Sequence, residues 1–225
     1  MRIIQASICA VLASKLCLAQ TWNQFDPLSC EAVIQTNVAV CLANNDVTGL
    51  RNVEQQIAEL ERRFSTSTKD HEQLLRTVSR LYLRLFRATR EIALPANNYE
   101  DYIIKKQGYN LMKPMRHPEV ARAIAFPSEE ATLITNAVLR QAFDQYRAAK
   151  KQMEDNMGKK RMLDSIQAHI LGYFKGIGHE MSKSQNTQMM AQLRLSVTEL
   201  IPSAKERDAI LELLSPEQEG GAAKK

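Results

Sequence analysis

Between residues 74 and 92 apolar side chains recur at Leu74, Leu75, Val78, Leu81, Tyr82, Leu85, Phe86 and Ile92. Steps of three and four residues trace one stripe along an α-helix. Arg76, Arg80, Arg84, Arg87 and Arg90 fill the remaining sectors, and no acid stands between Glu72 and Glu91. The pattern predicts a helix that buries one side and offers a concentrated positive edge on the other. A second stripe, Leu50, Val53, Ile57, Leu60 and Phe64, repeats steps of three and four and is flanked by Glu54, Glu59, Glu61, Arg62 and Arg63. Two heptads are too few for a free-standing coiled coil, so this helix is expected to pack on a neighbour. A third face, Ile134, Val138, Ala142, Tyr146, Ala149, Met153 and Met157, runs along a long helix.

Local punctuation sets the expected limits. Residues 30–42 are apolar and fit a helix or an extended segment, broken by Asn44-Asn45-Asp46 with Thr48-Gly49 continuing the loop. Asp70 is placed to cap the arginine-rich helix, with Gln73 reaching back as in a capping box. Pro95 ends that helix. A further helical segment is expected over 99–112, and Pro118 and Pro127 leave room for one short helix between them. Ser128, with Glu129 and Glu130 behind it, is expected to open the long helix, and Gly158 to close it. A helix over 162–174 then meets a Gly176-Ile177-Gly178 hinge, followed by a helix over 189–200. After Pro202, Ser203 and Glu206 form a capping box that opens a last helix reaching Leu214. No internal repeat is present.

Period-two alternation is scarce, and eight Gly and seven Pro leave little turn chemistry for sheets. The expected class is all-α: a helical bundle with an Arg-rich amphipathic central helix hairpin and a C-terminal helical extension. The expected organisation is a targeting segment over 1–20, a helical core over 28–158, a C-terminal helical segment over 160–214 and a disordered tail over 215–225.

Apolar content of 44% with 24% charged residues argues against disorder. A net charge of +5 suits anionic partners. Basic patches interleaved with aromatics are missing outside the arginine helix, so nucleic acid is not the expected partner. Residues 1–25 hold no acid and only Arg2 and Lys15 as bases. That composition fits an organellar presequence or, with Ala19 as a cleavage edge, a secretory signal. No run of about 20 uninterrupted apolar residues occurs, so no transmembrane span is expected. Cys9 and Cys17 lie in the targeting segment; Cys30 and Cys41 remain in the mature chain. On one helix these two share a face three turns apart, too far to bridge, and read as small buried hydrophobes. A secreted or periplasmic helical binding protein, with those two cysteines oxidised across a turn, is the alternative reading.

Catalytic motifs are missing. Gly176 and Gly178 lack the third glycine of a dinucleotide fingerprint, and His179-Glu180 meets Lys183 where a zincin needs histidine. His71, His117, His169 and His179 share no metal spacing with the cysteines. Neither a nucleophile elbow nor a P-loop occurs. The expectation is a non-enzymatic protein with no catalytic residue, no metal and no cofactor of its own.

The arginine-rich helix resembles the signature of the LYR-motif family, small helical proteins of mitochondria. Leu81 and Tyr82 match the opening of the triplet, Leu85-Phe86 supply the apolar pair, Arg87 follows, and Arg90 and Ile92 close the run. Leu83 departs from the pattern by standing where the family has Arg or Lys, with Arg84 beside it. Asn98-Tyr99-Glu100-Asp101-Tyr102, followed by Lys105-Lys106, resembles the start of the second helix in the branch that partners cysteine desulfurase, and 128–157 would be the third helix. The resemblance spans residues 71–157 and is strong over about a dozen positions. It implies a mitochondrial adaptor or accessory subunit that holds the 4'-phosphopantetheine-linked acyl chain of an acidic acyl carrier protein. On that basis Arg80, Leu81, Tyr82, Arg84, Phe86, Arg87 and Arg90 are the expected partner-binding residues.

Overall fold

The structure, a computed structural model, describes residues 27–64, 71–92, 116–125, 136–184 and 187–215. Among these the fold is all-α, with seven helices and no strand. They are α1 (Pro27–Ala43), α2 (Val47–Phe64), α3 (His71–Glu91), α4 (Pro118–Ala125), α5 (Ala137–Ser184), α6 (Thr187–Leu200) and α7 (Ala204–Leu213). None of the described helices is long and apolar enough to cross a membrane. The expected cap at Asp70, the helix over 99–112, the Asn98–Lys106 likeness, the cap at Ser128, and the segments 1–20 and 216–225 lie outside the described residues.

Two compact units divide the chain. One combines the segments up to Ile92 and from Met162 onward; the other comprises 93–161. In the first, α3 packs with α1, α2 and α6. Helix α1 contributes Cys30, Ile34, Val38 and Cys41, and α2 contributes Leu50, Val53, Ile57 and Leu60 as the stripe predicts. The second half of α5 adds Ile166, Ile170 and Phe174, all fully buried. In the second unit, α4 buries Val120 and Ala123 against Phe143 of α5. Pro118 occupies the first position of α4, where its missing N–H leaves no bond unmade.

Cys30 and Cys41 lie buried within α1. Eleven residues of helix separate them by about 16 Å, so they do not bridge one another. Asn45, with φ 51°, turns the chain after α1. The Asp46 carboxylate then accepts the Gly49 N–H at 2.8 Å, so α2 starts at Val47 and takes in the Thr48-Gly49 pair expected as loop. A side chain at Gly49 would stand 2.6 Å from the Cys41 sulfur, which is why the smallest residue sits where α1 hands over to α2.

The long helix departs most from expectation. The described part of α5 opens at Asn136, whose side chain accepts the Val138 N–H at 2.9 Å. It then runs unbroken for 48 residues through Gly158 and through the expected Gly176–Gly178 hinge. A helical glycine costs about 1 kcal/mol relative to alanine but does not break the hydrogen-bond ladder. Burial of Leu163, Ile166, Ile170, Tyr173, Phe174, Ile177 and Met181 on the core side holds the helix across the last three glycines. The Ser203 capping box is also not formed. Ser203 takes the N-cap position of α7 but makes no side-chain cap bond, and Glu206 pairs instead with Arg90 at the end of α3.

Candidate functional site

Helix α3 is buried on more than one side. Leu81, Leu83 and Leu85 each show no exposed surface, and neighbouring members of that trio lie about 200° apart around the axis. No wide solvated face remains, which corrects the expectation of one hidden stripe opposite one open flank. Leu81, Tyr82 and Phe86 are core residues, with Tyr82 fully enclosed and Phe86 at 6% exposure. Leu83, the departure from the family triplet, is equally buried, so an arginine there would place a charge inside the bundle.

The five arginines reach solvent by extending over this core. Arg76, Arg80 and Arg84 follow one another at four-residue steps, and the Nε atom of each is buried without a hydrogen-bond partner. Arg76 also pairs with Glu72, and Arg87 with Glu91, both within α3 and both at exposed positions. Such pairs contribute about 0.3–0.5 kcal/mol, so they hold these guanidiniums only weakly. Arg80 stands 4.0 Å from Glu31 of α1. Arg90, at the carboxyl end of α3, meets Glu206 in the first turn of α7, where each charge suits its helix end. Among the described residues Arg84 has no carboxylate partner.

A partly buried polar seam joins α2, α3 and α5, and sequence reading missed it. Glu54 is only 3% exposed. It pairs with Arg51 one turn earlier, and its Oε1 lies 2.8 Å from Nδ1 of His169 on α5. The His169 ring stands edge-on to Tyr82 at 5.7 Å, and the Tyr82 ring tilts against Tyr173 at 4.6 Å. The Tyr82 hydroxyl donates to Glu61 Oε2 at 3.3 Å, and the Tyr173 hydroxyl lies 3.1 Å from Ser79 Oγ. Gln167 donates to the Thr89 hydroxyl at 2.9 Å. Burial pushes the Tyr82 and Tyr173 phenols well above their ordinary range. Burial also lifts the Glu61 carboxyl, against the opposing pull of its Tyr82 hydrogen bond and of nearby His169.

The signal for this seam was available in the spacing. Position 54 is four residues after Leu50 and three before Ile57, and position 61 is four after Ile57, so both acids share the apolar stripe of α2. His169 lies next to Ile170 and four residues before Tyr173. Polar side chains on a core face need partners, and here they find one another across α2, α3 and α5. The seam therefore pins α2, α3 and α5 in register.

Among the described residues no group of three or more His, Cys, Asp or Glu is placed to hold a metal ion. No protein-family model, curated protein or solved structure matches the chain.

Proposed function

We propose that this chain is a non-enzymatic helical adaptor or accessory subunit that docks an acidic protein along the arginine edge of α3. In the form that the LYR-motif resemblance gives the proposal, the partner is a mitochondrial acyl carrier protein bearing a 4'-phosphopantetheine-linked acyl chain. Arg84 carries the reading. Its Nε is enclosed without an acceptor, and it has no carboxylate partner among the described residues. A guanidinium offers a planar fork of donors matched to carboxylate and phosphate, so an acidic partner supplies what this position lacks. Arg80 and Arg87 flank it on the same edge, held by partners too weak to keep them from a stronger one. Leu81, Tyr82 and Phe86 act from below as core that sets the angle of the edge, and Arg90 ties the edge to α7.

The test is calorimetric titration of an acylated acyl carrier protein into the wild-type chain and into Arg84→Glu/Arg87→Glu. The wild type binds, and the double variant binds at least about tenfold more weakly, a loss of about 1.4 kcal/mol. Circular dichroism stays the same, because Arg84 has no carboxylate partner to lose among the described residues and the exposed Arg87–Glu91 pair contributes little to folding. Equal binding by the two proteins would overturn the proposal.

A further inference from the structure

We infer that the surface formed by α3, α6 and α7 docks a second copy of this chain. Its centre is Leu195 on α6, 69% exposed. A lone exposed leucine is ordinary, but this one is the ridge between two grooves and lines both. The groove toward α3 is a cavity of about 270 Å³ bordered by Arg76 and Arg80. The groove toward α7 is larger, about 660 Å³, and is bordered by Asp208 and Glu212, with Arg194 leaving it net acidic. Among the described residues neither Asp208 nor Glu212 has a basic partner.

An apolar ridge with a basic edge on one side and an acidic edge on the other is complementary to itself. A twofold axis beside Leu195 sets the α6 helices of two copies against each other. Each Leu195 ridge then enters a groove of the other copy, and each basic edge faces the other copy's acidic edge. The internal partners of Arg76 and Arg80, an exposed pair with Glu72 and a 4.0 Å approach to Glu31, leave both guanidiniums able to take part. This surface shares Arg80 with the edge proposed to dock the carrier but is built on Leu195 and the acidic groove of α7, so the inference does not depend on the acyl carrier reading.

Equilibrium sedimentation of the full chain, with no partner present, tests it. The wild type tends with rising concentration to twice its 25.5 kDa mass, and Leu195→Asp stays at the single-chain mass. Arg76→Glu/Arg80→Glu makes both edges acidic, and Asp208→Lys/Glu212→Lys makes both basic, so each variant alone loses self-association. Mixed in equal amounts, the two variants regain the doubled mass, because every edge-to-edge contact between them again joins opposite charges. Misfolding cannot produce that rescue. A wild type that stays at the single-chain mass at 100 µM, on the order of the weakest specific interfaces, overturns the inference, and so does a mixture that fails to associate.

Discussion

Gly178 gives the sharpest test of how the C-terminal helices close the first unit. A Cβ built at this position collides with the carbonyl oxygen of Leu213 and stands 3.1 Å from the Leu214 Cα and 3.2 Å from the Leu213 carbonyl carbon. All three obstacles are backbone, so no side chain can swing aside. Gly172 and Gly176, on the same helix, have nothing within 4 Å of an added Cβ. Replacing glycine by alanine inside a helix stabilises by about 1 kcal/mol when space is open. Gly172→Ala and Gly176→Ala are therefore expected to raise Tm by about 2–4 °C, the usual response of a chain of this size to 1 kcal/mol. At Gly178 the same gain meets an overpacking cost of about 1–3 kcal/mol. It also meets partial loss of the burial of Ile210 and Leu214, both fully enclosed. Gly178→Ala is expected to lower Tm by about 2–6 °C, with faster amide exchange confined to α7 and its flanks. A Gly178→Ala protein as stable as the Gly176→Ala protein would refute the close approach of α5 and α7.

Three further outcomes follow from the buried polar seam and the α1–α2 corner. Burial holds the Glu61 carboxyl above its ordinary value of 4.5, so the folded state keeps its proton more tightly than the unfolded state. Stability from this group is fully present below 4.5 and is lost as pH rises through the folded value; Glu61→Gln is expected to flatten that part of a urea-midpoint profile, and an unchanged slope would count against the burial. Tyr82→Phe removes the donor to Glu61 and is expected to cost about 0.5–1.5 kcal/mol in chemical denaturation, whereas a neutral result would mean the 3.3 Å contact contributes nothing. Burial, with Asp46 nearby, pushes the Cys41 thiol up to about 11; at pH 8 the native chain should leave Cys41 unmodified by iodoacetamide while the urea-unfolded chain is alkylated, and equal labelling would contradict its enclosure.

Helix α2 was legible because a repeating step of three or four residues carries the period of a helix directly, and Leu50, Val53, Ile57 and Leu60 all face inward, whereas residues 30–42 left helix and extended segment both open. The degree to which α3 is enclosed was not legible. Leu83 falls off the stripe of 81, 82, 85 and 86, yet it is fully buried on a helix that packs with three others, α1, α2 and α6. The glycines of α5 misled for a related reason. A local preference of about 1 kcal/mol is overridden by the tertiary burial of Ile170, Phe174 and Ile177. In the candidate site, the arginine row was readable, but its ion pairing was not: Arg90 and Glu206 are distant in sequence and meet only because α7 folds back on α3. Glu54 reads as a flank of the α2 stripe, yet it is buried and meets the exposed His169 of α5.

The partner proposed for the guanidinium edge of α3 is an acidic carrier protein. Native mass spectrometry of the chain co-expressed with an acyl carrier protein measures this most directly, because complex and cargo are weighed together. A one-to-one complex is expected, its carrier bearing an acylated 4'-phosphopantetheine arm, dispersing as salt is raised and missing for Arg84→Glu/Arg87→Glu. Free carrier beside uncomplexed chain at low salt, or a complex indifferent to that charge reversal, would contradict it.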